Sequence, residues 1–149
     1  MQIATLIALY RSTHYDVRLN GGRRITLRVG SDCPDLPIES NERWGFITAW
    51  NPFSEPRPAS DNRAAQRELF DALKRSSRVL LPAVGRIPGE PWGEPALFAG
   101  GISLDELDRL ARTFRQNAIV TGRGHGVGSL RFYRDDWRHA ITDSDIEMG

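Results

Sequence analysis

The side chains best suited to orienting a ligand are amides and one carboxyl, each beside a residue that breaks regular backbone. Asn51 precedes Pro52, Glu94 precedes Pro95, and Gln116-Asn117 follows an amphipathic run. An amide holds a donor and an acceptor in fixed geometry, so it can read the edge of a planar polar molecule. Thr48 and Asn62 add hydrogen-bonding groups, Arg86 adds charge, and Trp50 and Trp92 offer faces for stacking. Each residue also has a structural reading. Asn before Pro satisfies its own turn, Asn after a helix adopts the left-handed conformation, and Glu94 can pair with Arg86 or Arg115. The candidate ligand-binding set is Thr48, Asn51, Asn62, Arg86, Trp92, Glu94, Gln116 and Asn117.

Other chemistries find less support. Glu94 is the one obvious carboxylate in this set, because Asp61 is better explained as a helix cap, and no glycosidase-type carboxylate pair is evident. His14, His125 and His139 show no metal-ligand spacing, so neither a metal nor a cofactor is expected. His14 reaches the candidate set only if the N-terminal segment packs there, and a structural role suits it better. Cys33, the single cysteine, sits beside Pro34 among acids, a poor setting for a thiolate. No Gly-x-Ser-x-Gly elbow is present. Residues 122–128 hold four glycines, but a strand-like run follows them where a phosphate loop needs a helix, so they read as a flexible hairpin loop. No nucleophile or general-base pair can be nominated, which leans against an enzyme.

These residues need elements to position them. Ile3, Leu6, Ile7 and Tyr10 keep helical spacing over residues 2–12. Val17 and Leu19, then Asn20-Gly21-Gly22, then Ile25, Leu27 and Val29 read as a β-hairpin whose polar face carries Arg18, Arg24, Thr26 and Arg28. Residues 31–43 read as a loop. Residues 45–50 form a strand ended by Asn51-Pro52, and Ser60 or Asp61 caps a helix to about Arg75 with Ala65, Leu69, Ala72 and Leu73 inward. Residues 79–84 form a strand that Pro82 assigns to a sheet edge. Residues 95–99 form another. Ser103-Leu104-Asp105-Glu106 is a capping box before a helix bearing Leu107, Leu110, Ala111 and Phe114. A strand at 117–121 pairs with one at 130–133, and the tail after Asp135 is expected to be solvated and frayed.

From residue 46 to residue 121 the order is β-α-β-β-α-β. The expected fold is α+β, with a ferredoxin-like core, an antiparallel sheet and two helices. An N-terminal helix plus hairpin (2–30) and a C-terminal strand and tail (129–149) extend it within one domain, 1–149. In that arrangement the end of the first core strand, the start of the first core helix, the connection at 86–94 and the turn at 115–117 meet at one rim. The candidate residues lie on these segments. Phe46, Trp50 and Phe98 share one sheet face, which either packs against the added elements or forms an open aromatic platform. Packing is the expectation, with the hairpin as cover.

The run Trp44-Gly45-Phe46-Ile47-Thr48-Ala49-Trp50-Asn51-Pro52 carries a resemblance. With Thr13-His14-Tyr15, Trp92-Gly93-Glu94-Pro95 and Phe114-Arg115-Gln116-Asn117-Ala118, it resembles domain-of-unknown-function family 3293, which has an FITAWNP core motif. Ala96 stands where the family pattern has Ser, and Arg115 where it has Gly. The resemblance implies kinship and a cytoplasmic bacterial protein, and no activity.

Composition limits the remaining classes. The 149 residues are 40% hydrophobic and 26% charged, with a formal net charge of +1, which suits a globular chain and not a strongly basic nucleic-acid binder. Of the basic residues only Lys74 is lysine. No apolar run reaches transmembrane length, and the N-terminus lacks the basic segment of a secretory signal. Residues 1–31 carry five Arg and one Asp, net +4, and residues 32–62 six acids and two Arg, net −4, so the two segments can neutralise each other. The leading functional expectation is a small-ligand domain, nucleotide-like in preference, with its site at the rim. A protein-interaction or inhibitor module without a pocket is the alternative, prompted by the opposed charges and by Trp44 and Trp137 read as surface residues. RNA binding through Arg18, Arg24 and Arg28 is the third.

Overall fold

Alternating apolar strands and two amphipathic stripes build a single mixed sheet with helices on both sides. The computed structural model describes residues 2–149. In chain order the elements are α1 (Ile3–Ser12), β1 (His14–Arg18), β2 (Arg24–Leu27), β3 (Arg43–Ile47), a 3-10 turn (Pro52–Ser54), α2 (Ala59–Ser76), β4 (Val79–Arg86), β5 (Gly93–Gly100), α3 (Leu104–Thr113), β6 (Ala118–Arg123), β7 (Ser129–Phe132), a second 3-10 turn (Asp135–Trp137) and β8 (Glu147–Met148). The eight strands lie in the order β2-β1-β4-β5-β3-β6-β7-β8. Neighbours are antiparallel except β7 and β8, which are parallel. No helix of the described residues is long and apolar enough to cross a membrane.

Each sheet face has its own apolar layer. On one, Ile47, Ala49, Leu97, Ala99 and Ile119 meet Leu69 and Leu73 of α2 and Leu107, Leu110 and Ala111 of α3. Burying one such leucine contributes about 1.5–3 kcal/mol, so the two stripes account for the docking of both helices. Ser103 starts α3 by accepting a hydrogen bond from the Glu106 amide at 3.1 Å, while the Glu106 carboxylate turns to Arg109. The opposite face carries Tyr15, Val17, Trp44, Phe46, Leu81, Phe98, Val120 and Phe132, covered by Ile7 of α1 and by Cys33, Leu36 and Ile38.

Several expectations are corrected. Residue 44 is not on the surface: Trp44 is fully buried, and its indole N–H donates to the Gly124 carbonyl at 3.0 Å. Gly122 faces that ring so closely that a Cβ would stand 2.5 Å from it. Pro82 does not mark an edge strand, because β4 lies between β1 and β5. However, β1 pairs with β4 only from His14↔Arg86 to Val17↔Ala83, so Pro82 sits just past the last pair, where the strand has a neighbour on one side only. The aromatic face is closed as expected, but the hairpin is not its cover. β1 and β2 lengthen the sheet, and α1 with residues 31–42 lies over the face.

The tail is docked, not frayed. Ile141, Ile146 and Met148 pack on the core, the Gly149 amide donates to the Phe132 carbonyl at 2.8 Å, and Arg11 pairs with Asp143 and Asp145. Arg11 therefore neutralises the tail, not the acidic segment 32–62. The glycine-rich loop is also fixed in place. His125 accepts from the Cys33 amide at 3.2 Å through its carbonyl, and Gly128 accepts from the Gly30 amide at 3.0 Å. α2 starts after Pro58 with no side-chain cap, so Ser60 and Asp61 fall inside it.

Candidate functional site

The chain leaves β3 through a polar frame. Thr48 donates to the Pro95 carbonyl at 2.7 Å and accepts from the Trp50 amide at 3.0 Å. Gln66 on α2 accepts from the Ala49 amide at 2.9 Å. Asn62, in the first turn of α2, is 1% exposed; its oxygen accepts from the Asn51 amide at 2.9 Å and from Arg57 at 2.6 Å. Its nitrogen donates to the Asn51 side chain at 2.7 Å. A buried amide needs such partners, because an unmet polar group costs about 1–3 kcal/mol. The bend beyond is tight: Asn51, Phe53 and Ser54 all have positive φ, at 46°, 53° and 62°. For Phe53 that is a costly conformation, and non-glycine residues held this way cluster at functional sites.

α3 closes beside this bend. The Gln116 amide donates to the Ala111 carbonyl at 2.9 Å and the Arg115 amide to the Arg112 carbonyl at 3.1 Å, the two bonds of a Schellman ending. That ending places Arg115, not Asn117, in the left-handed region, at φ 52°. Gln116 donates to the Trp50 carbonyl at 3.3 Å, the Phe53 amide donates to the Arg115 carbonyl at 2.7 Å, and Asn117 donates to the Ser54 hydroxyl at 2.9 Å. The end of β3, the start of α2 and the turn after α3 therefore meet, with the amides bonded to one another and to backbone.

Between this rim and α1 lies a cavity of about 390 Å³. Its deep wall is Phe46, Val120 and Leu130, all buried, and its side is Leu6, Leu9 and Tyr10 of α1 with Tyr15 of β1. Thr48, Trp50, Asn51, Ser54, Trp92, Glu94 and Gln116 complete it towards the rim. Trp92 is 59% exposed and stands at the mouth. Of the eight candidates, Thr48, Asn51, Trp92, Glu94 and Gln116 line the cavity, while Asn62, Arg86 and Asn117 do not. Arg86 is engaged on β1, where it donates to Asp16 at 2.5 Å.

Glu94 stands apart. It lies on β5 at the parity of Ala96 and Phe98, so it shares the α1 face, and no hydrogen bond or ion pair from a described residue reaches its carboxyl. Burial without a partner pushes its pKa from 4.5 up to about 7. The Tyr10 and Tyr15 hydroxyls are raised too, first by burial and in part by the nearby Glu94 charge. Burial likewise raises the Cys33 thiol, which removes it from nucleophilic chemistry at neutral pH. Among the described residues no cluster of three His, Cys, Asp or Glu suits a metal ion.

Residues 47–119 match the family model described as "Protein of unknown function (DUF3293)". Over that stretch the chain belongs to the DUF3293 family. No curated protein and no solved structure matches it. The DUF3293 stretch runs from the last residue of β3 to the second residue of β6, and holds the whole polar frame and Glu94. The cavity walls from α1, β1 and β7 fall outside it. Leu6, Leu9, Tyr10 and Tyr15 are among the lining residues absent from the expected set. The helical spacing of Leu6 and Tyr10 signalled an apolar face, but nothing in it named the sheet surface that the face would cover.

Proposed function

We propose that this DUF3293 chain is a small-molecule-binding domain whose ligand enters at the rim beside Trp92. The observation that carries this reading is the cavity itself. Its volume of about 390 Å³ lies in the range of ordinary ligand pockets. Its walls are mostly aromatic and aliphatic, and the Glu94 carboxyl on them has polar atoms that no described residue bonds. The amides make the frame, and Glu94 with Trp92 makes the recognition surface. The strand order β4-β5-β3-β6, with α2 and α3 on one face, supports a ferredoxin-like core inside one domain spanning 1–149, to which α1 adds the pocket wall.

Intrinsic fluorescence tests the reading directly, since Trp50 and Trp92 both border the cavity. A metabolite screen read by tryptophan emission and by thermal shift is expected to give saturable binding that Phe46→Trp, which fills the deep wall, abolishes. Saturable binding that survives Phe46→Trp in a folded variant refutes the placement of the site.

A further inference from the structure

We infer that the ligand is a small organic cation, an amine or amidinium on a compact apolar body, with its charged end on Glu94. The inference rests on the pocket reading above and adds the ligand's charge. No Arg, Lys or His lines the cavity; Glu90 and Glu94 are its ionisable acids and Tyr10 and Tyr15 its phenols. A phosphate or carboxylate group would enter with no counter-charge, at a desolvation cost that nothing offsets. The nucleotide-like preference therefore fails on charge, and Arg86, the residue expected to supply it, is held by Asp16 outside the cavity.

A cation has the opposite balance. Glu94 has no partner in the protein and is half-buried, so an incoming N–H group takes the place of the little water that reaches its carboxyl. Tyr10, Tyr15, Phe46, Trp50 and Trp92 surround the space with aromatic rings, whose faces attract positive charge. An acid kept unpaired and pushed up to about 7 is a standing loss to the fold, and such losses concentrate where a ligand relieves them.

Three probes of one shape separate the outcomes: tryptamine, its neutral alcohol tryptophol and the anion indole-3-propionate, titrated by calorimetry. Near neutral pH tryptamine is expected to bind at least about tenfold tighter than tryptophol, and indole-3-propionate not at all, as a charge-assisted hydrogen bond implies. Glu94→Gln, close in size to the native side chain, is expected to erase the preference for tryptamine and leave tryptophol unchanged. A pH series gives a second readout. The titratable groups that line the cavity with Glu94 are Tyr10 from α1, Tyr15 from β1 and Glu90 from the β4–β5 connection. Burial holds both phenols above their usual range, so they stay neutral across the series. Tryptamine binding is expected to weaken at least about tenfold from about pH 8 to about pH 5 in the native chain and in Glu90→Gln, but not in Glu94→Gln. Equal binding of tryptamine and tryptophol, unmoved by Glu94→Gln, overturns the cation and leaves the pocket standing. Absence of binding by all three probes at about 10 mM, an affinity weaker than about 3 kcal/mol, overturns the cation and the pocket together.

Discussion

Replacing Glu94 by Gln should make the protein more stable above neutral pH and leave it nearly unchanged in acid. The folded chain holds the carboxyl at about 7 against 4.5 in the unfolded chain, because burial disfavours the anion and no partner compensates. Between those values the folded state binds more protons than the unfolded state, so stability falls as pH rises and levels off above about 7. At 1.36 kcal/mol per pH unit the full difference is about 3 kcal/mol. The cavity mouth admits some solvent to the carboxylate, so about 1–3 kcal/mol is the expected loss. Urea unfolding followed by tryptophan fluorescence, on native and Glu94→Gln proteins from about pH 4 to about pH 8, reads it out. Every other titrating group cancels in the difference between the two curves. The curves should coincide near pH 4 and separate through pH 7, with Gln the more stable. Parallel curves, or a native protein that gains on the variant as pH rises, would refute an unpaired, half-buried carboxyl.

Three further outcomes follow from the geometry. Arg115→Gly should raise stability by about 0.5–1 kcal/mol, since relief of a left-handed residue outweighs the added freedom of the unfolded chain, and a thermal melt should move up by a few degrees. Gly122→Ala should lose about 1–3 kcal/mol in urea, because the new methyl meets the buried Trp44 ring at 2.5 Å and the strand cannot yield without shifting its partners. Arg86→Ala should lose about 1–2 kcal/mol at neutral pH, because Asp16 is buried and keeps only Thr26 as a partner. Burial alone would raise the Asp16 pKa, but the Arg86 and Thr26 bonds outweigh it and hold it low. The native advantage over Arg86→Ala should therefore shrink as pH falls through the Asp16 titration.

Local patterns were legible where the partner was local. The Ser103 cap and the Leu107, Leu110, Ala111 stripe define α3 without outside help, and Asn20-Gly21-Gly22 turns β1 into β2. The gathering of Asn51, Asn62 and Gln116 was legible too, from the order of elements. Their employment was not, because each amide bonds a residue on a different segment, and a sequence lists amides without their partners. Trp44 read as a surface residue, yet the ring fits against Gly122, which lies far along the chain on β6. β8 has two residues in an acidic tail, too few for any alternation to show. Arg115 is the instructive case. The Schellman ending of α3 puts it at a backbone angle that glycine adopts freely, and no local signal in the sequence marks an arginine for that position.

The tie between Arg11 and the pair Asp143 and Asp145 joins segments far apart in the sequence. A ribosome adds Asp143 132 residues after Arg11, at about 5–20 residues per second. During that interval α1 has its apolar side but not these ion pairs, and the wall that Leu6, Leu9 and Tyr10 give the cavity lacks them. A helix made early is thus tied down over the sheet by residues made much later.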